Sequence, residues 1–127
     1  MVRNAGDTFT FSFDGRHLWV ALTAPVGKNG AFIAVNLTSV KERNPIDETC
    51  LIEAGEHPWV RKQTEVYYMK AREWQVSGFD SLVSYGASCK PDKPVSKALL
   101  AKIQRGALAS PHMKERFADL IRKELGL

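Results

Sequence analysis

Residues 8–23 read TFTFSFDGRHLWVALT, and how this stretch divides decides the fold. Residues 8–13 alternate polar and apolar with period two, so Phe9, Phe11 and Phe13 share one face of an extended strand. Asp14-Gly15 follows, a dipeptide suited to a tight turn because glycine accepts positive φ without strain. Residues 17–23, HLWVALT, are then a mostly apolar run of strand length. The stretch is therefore expected to form a hairpin or a tight corner between two strands.

The same punctuation continues outward. Pro25, Gly27, Asn29 and Gly30 mark a loop, and residues 31–38 form a third strand whose composition is that of a buried one. Residues 41–48, KERNPIDE, read as a polar loop and residues 49–52 as a short strand. Residues 65–70 are another strand, and 72–76 continue its pairing. Five or so short strands with turn signals every 8 to 15 residues predict a small closed or half-closed β-barrel. Residues 86–94, GASCKPDKP, carry two prolines and read as a linker.

The remainder is helical by pattern. Ser96 can cap a helix carrying Leu99, Leu100, Ile103 and Ala107 on one side, with Gly106 as its stop. Ser110-Pro111 is expected to open a second helix with Met113, Phe117, Leu120, Ile121 and Leu125 as its apolar stripe. The expected fold class is mainly β with α. It is a single domain over 1–127, with a barrel over 1–85, a linker over 86–94 and two helices over 95–127.

A chain of 127 residues suffices for one core, and 44% hydrophobic with 25% charged residues is ordinary globular composition. No apolar run reaches the roughly 20 residues that span a bilayer, and residues 1–11 lack the apolar stretch of a signal peptide. The expectation is a cytoplasmic protein without membrane attachment. Cys50 and Cys89 are too few for a disulfide framework and form no metal-type spacing. Residues 1–89 hold nine Lys+Arg against ten Asp+Glu, a net of −1, whereas residues 90–127 hold nine against four, a net of +5. Such a basic segment suits either a polyanion or an acidic protein partner, or is simply a solvated helix surface.

Three polar points interrupt the apolar strands. Gly15-Arg16-His17 feeds a buried strand; an Arg there can grip a phosphate and a His can move a proton, or the group is an exposed turn. Asn36-Leu37-Thr38-Ser39 ends a buried strand, where hydroxyls can bond a phosphate or a ribose hydroxyl, or merely cap the next loop. Residues 53–64, EAGEHPWVRKQT, set His57 and Trp59 beside Arg61, Lys62 and Thr64. An aromatic next to cations suits single-stranded nucleic acid, or else Trp59 belongs to the core with His57 bonded locally. Walker, HExxH and GxSxG signatures are missing from the sequence. Arg and His can nevertheless serve RNA cleavage, which needs a base, a cation and an acid.

The order of these residues resembles the PemK/MazF family of toxin ribonucleases from type II toxin–antitoxin systems. Gly6-Asp7 precedes TFTFSF, Gly15-Arg16-His17 leads into LWVALT, and AVNLTS ends in a polar group with Thr38. GEHPWVRKQTEVYY, residues 55–68, resembles a piece of a divergent PemK-like branch. The resemblance implies an SH3-like barrel that forms a homodimer and cuts single-stranded RNA with no metal or other cofactor. It also implies a cognate antitoxin that inhibits through an acidic segment. Arg16 would then be the catalytic cation and proton donor, and Thr38 would help position the nucleophile. His17 stands where the family has a proline and can supply an acid or base, and His57 and Thr64 are carried over as groove residues. A non-catalytic SH3-like module that docks nucleic acid or a protein is the alternative from a different functional class.

Overall fold

The computed structural model describes residues 2–11, 17–40, 45–84 and 89–127. Its centre is a six-stranded antiparallel sheet. The strands are β1 (Thr8–Phe11), β2 (Leu18–Ala21), β3 (Ala31–Ser39), β4 (Leu51–Ile52), β5 (Thr64–Gln75) and β6 (Cys89–Asp92), in the order β4-β5-β3-β2-β1-β6. The period-two pattern of the opening stretch produces the pairing expected of it, with Phe9 opposite Trp19 in an antiparallel β1–β2 ladder. The turn between these strands lies outside the described residues.

The sheet is open: among the described residues the edge strands β4 and β6 do not meet, whereas the sequence suggested a barrel. Helices, rather than closure, bury the two apolar faces. Leu18, Val20, Ile33, Val35, Leu37 and Val66 point into a core shared with α2 (Lys97–Ala109) and α3 (Glu115–Glu124). Phe9, Phe11, Trp19 and Phe32 point the other way, into an aromatic cluster joined by Phe79 of α1 (Val76–Ser84). The rings there meet mostly edge-to-face, as with Phe9 and Phe79 at 4.6 Å between centroids, the arrangement their quadrupoles favour.

Three local expectations change. The expected linker contains β6, which pairs with β1 and puts Pro91 on an edge strand, where a missing N–H is tolerated. The two short strands expected over 65–76 are one strand, β5, bent by a register shift. Ala34 faces Arg72 and Asn36 faces Tyr67, so residues 68–71 stand against Val35 alone. Beyond the bend, residues 76–84 leave the sheet as α1, which was not expected.

Ser96 caps α2 as predicted, accepting from Leu99 N at 3.1 Å, and Leu99, Ile103 and Ala107 are buried. Gly106 does not end that helix. A Cβ at this position would sit 2.2 Å from Tyr68 Oη, so the glycine is where α2 comes down on the sheet. Tyr68 Oη donates to Ile103 O at 2.7 Å, and Gln104 Nε2 donates to Leu22 O at 3.0 Å. Ser110-Pro111 lies in the connection between the helices, and α3 starts at Glu115 with Lys114 at its cap. Phe117, Ala118 and Ile121 are buried, while Leu125 of the expected stripe is exposed. Glu115 in the first turn and Arg122 and Lys123 in the last complement the helix dipole.

Candidate active site

The ladder registers assemble a set of polar side chains that sequence spacing does not reveal. Trp19 of β2 faces Asn36 of β3, which faces Tyr67 of β5. Two residues along, Thr38 faces Glu65. Strand alternation puts these five side chains on the aromatic-cluster face of the sheet. His17 is the residue before β2, and extending the Leu18–Leu37 pairing by one position sets it against Thr38. His17, Thr38 and Glu65 thus form one row across the sheet, and Trp19, Asn36 and Tyr67 form the next.

The His17 ring is half-buried, with Nδ1 3.2 Å from Leu37 O. A carbonyl can only accept, so Nδ1 carries a hydrogen and donates it. Nε2 is then the nitrogen able to take up or give a proton. Thr38 is buried and donates its hydroxyl to Asn36 Oδ1 at 2.6 Å, which leaves the Asn36 amide nitrogen with two hydrogens to offer.

Glu65 is fully buried, and its Oε1 accepts from Asp47 N at 3.2 Å. The Asp47 carboxylate in turn accepts from Thr49 N at 2.9 Å and from Ser110 Oγ at 2.8 Å. Burial pushes the Asp47 carboxyl up, but the hydrogen bonds from Thr49 and Ser110, helped by nearby His112, outweigh it and hold the group below its usual range. This chain of bonds ties the row to Ser110, the C-cap of α2.

The residues expected to form one groove are divided by the fold. His57 is 3% exposed, and both its nitrogens are occupied. Nδ1 accepts from Trp59 N at 3.0 Å, so the ring hydrogen must be on Nε2, which donates to Lys93 O at 2.7 Å. The same carbonyl accepts from Thr8 Oγ1 at 2.8 Å. His57 is therefore a buckle joining the β4–β5 loop to the segment before α2, with no lone pair left for a proton. Trp59 is half-buried against the helix-side core. Arg61 and Lys62 are exposed beyond it, and Thr64 is buried, donating to Lys62 O at 2.9 Å. Of the four residues expected to be catalytic, the fold brings His17 and Thr38 together and sets His57 apart. Arg16, which precedes His17 in the chain, lies outside the described residues.

Glu65, Tyr67 and the amide of Asn36 are members of the site that were not singled out by residue type. Alternation along β5 indicates that Glu65 and Tyr67 share a face, but only the β3–β5 register places them beside Thr38 and Asn36. Among the described residues, no three His, Cys, Asp or Glu side chains gather as a ligand set for a metal. Comparisons with protein-family models, with curated proteins and with solved structures found no match for this chain.

Proposed function

We propose that the chain is an endoribonuclease that cleaves single-stranded RNA without a metal, as the toxin of a type II toxin–antitoxin pair. The observation that carries the proposal is the His17 ring, anchored through Nδ1 to Leu37 O beside Thr38 with Nε2 left for proton transfer. In this reading Nε2 of His17 accepts the proton of a ribose 2′-hydroxyl. The new O2′–P bond forms as the P–O5′ bond breaks, giving a 2′,3′-cyclic phosphate and a 5′-hydroxyl. Arg16 supplies the cation for the developing phosphorane charge and the proton for the leaving oxygen. The acidic segment of a cognate antitoxin would compete for the same cation, and a homodimer would present two such sites.

Purified protein incubated with mixed single-stranded RNA in EDTA tests this, beside folded Arg16→Ala and His17→Ala variants. Discrete cuts that both variants lose are expected. Cuts that survive Arg16→Ala in a folded protein would remove Arg16 from the mechanism, and intact RNA at every protein concentration would remove the activity. One observation favours a non-catalytic SH3-like binding module instead: Thr38 is 5% exposed and its hydroxyl is already given to Asn36. Salt-dependent RNA binding without cleavage is the outcome that selects it.

A further inference from the structure

Sequence reading placed the nucleic-acid contact at Trp59, Arg61, Lys62 and Thr64, but the first three belong to the β4–β5 loop held by the His57 buckle and Thr64 is buried at the start of β5. The polar row lies on the other face of the sheet, and that face offers its own aromatic and its own cation. Tyr67 is half-buried and directly opposite Asn36, one row from His17 and Thr38. Adjacent rows are two residues apart, about 7 Å along the strand, a step within the reach of a single nucleotide. Past the bend in β5, Arg72 returns to the same face opposite Ala34. Its side chain is exposed, and its guanidinium lies 4.5 Å from the centroid of the Trp74 ring. A guanidinium over an indole face is held by the ring's quadrupole and keeps N–H groups that can serve a phosphate.

From this arrangement we infer that single-stranded RNA runs along β5 on this face. The Tyr67 ring is a stacking platform for the base beside the cut, and Arg72 on Trp74 holds a phosphate farther along. The inference rests on the proposal that the His17 row is where RNA is cut. The Asn36 side chain, 6% exposed, spends its Oδ1 on Thr38 and keeps its amide nitrogen in the row of Tyr67, where it can donate to a carbonyl or ring nitrogen of a base drawn against it. Stacking accepts any base, so the path binds RNA broadly, and the amide is the element that grades one base against another.

The test uses a short, fluorescently labelled 2′-O-methyl oligoribonucleotide of mixed sequence, which has no free 2′-hydroxyl and cannot be cut. Binding is read by anisotropy at several salt concentrations. Tyr67→Ala is expected to weaken binding about tenfold and Tyr67→Phe less than about twofold, the size and pattern of lost base–aromatic stacking. Arg72→Ala is expected to weaken it and to lower the slope of log affinity against log salt by about 0.7, one phosphate contact to a single strand. A double Arg61→Ala/Lys62→Ala variant is expected to bind as the wild type does. Tyr67→Leu keeps an apolar side chain at the position without a π face, so it serves if the alanine variant does not fold.

Wild-type affinity in Tyr67→Leu, loss confined to the Arg61/Lys62 variant, or no binding by the wild type would each overturn the path. Cleavage of unmodified RNA is scored separately. Cutting with unaltered Tyr67→Leu binding overturns the path alone. Tyr67-dependent binding without cutting overturns the nuclease reading and leaves the path standing.

Discussion

The face of the sheet under α2 and α3 and the face bearing the polar row each hold a histidine next to a backbone carbonyl, and the two rings are bonded in opposite ways. His57 accepts from Trp59 N and donates to Lys93 O, so every hydrogen-bonding position on its ring is spent on the fold. Among the described residues, His17 spends only Nδ1, on Leu37 O. The difference teaches that residue type and flanking sequence are poor guides to a histidine's role. Partners decide it, because a ring whose two nitrogens are both committed to main-chain groups has no proton left to exchange.

The sharpest break between the two is expected at His17. His17→Ala should lower RNA cleavage by about 100-fold or more while changing unfolding free energy by less than about 1 kcal/mol. A variant that unfolds easily yet cuts normally when folded would merge the two histidines into one structural class. Next in size is Gly106→Ala, which tests how tightly the face under α2 and α3 is closed. The new Cβ would lie 2.2 Å from Tyr68 Oη and 2.9 Å from Cys50 Cβ. The expected loss is about 3 kcal/mol, read from urea unfolding. A gain, as expected of Gly→Ala in an open helix, would show that α2 does not press on Tyr68.

His57→Ala should cost about 2 kcal/mol, since it removes two buried bonds and leaves the Trp59 N–H without its acceptor. Cleavage by the folded fraction should be unchanged, and a selective loss of cleavage would return His57 to the site. A smaller effect is expected at Asp47. Its folded carboxyl titrates below the ordinary value of 3.8, so the fold favours the charged form. The stabilisation is present above that ordinary value and is lost as pH falls through the folded one. Asp47→Asn should cost about 1 kcal/mol at neutral pH and flatten the acid limb of the stability curve below about pH 4. An unchanged acid limb would remove the Asp47–Ser110 tie as its cause. The smallest effect is expected at the surface pair of Arg116 and Glu73, 3.2 Å apart with side chains 63% and 36% exposed. Arg116→Ala should cost less than about 0.5 kcal/mol, and a larger loss in thermal unfolding would show that this pair carries part of the α3 contact.

Much of the fold was legible from local pattern. The alternation in residues 8–11 gives β1, the apolar run after His17 gives β2, and Ser96 starts α2 where a side-chain cap predicts. What was misread involves groups whose meaning depends on a distant neighbour. Gly106 reads as a helix stop until Tyr68 is placed against it. Ser110 reads as a helix N-cap until its hydroxyl is seen to serve Asp47, 63 residues away in the chain. Residues 89–92 read as linker because Pro91 argues against a strand, and only pairing with β1 makes an edge strand of them.

The sequence by itself determined most of the extended and helical segments, α1 and β6 aside, and most of the side chains they bury, because those depend on periodicity and on the cost of exposing apolar surface. It also supplied two separate ingredients of a site, His17 and Thr38, without showing that they are neighbours or that Glu65 joins them. The tertiary structure decided the register that sets those three in one row, the open sheet with helices on both faces, and the diversion of His57 into a buckle. Register and hydrogen-bond partnership are relations between residues far apart in the chain. A one-residue slip in β3 or β5 would send Thr38 or Glu65 to the opposite face without changing a single local propensity.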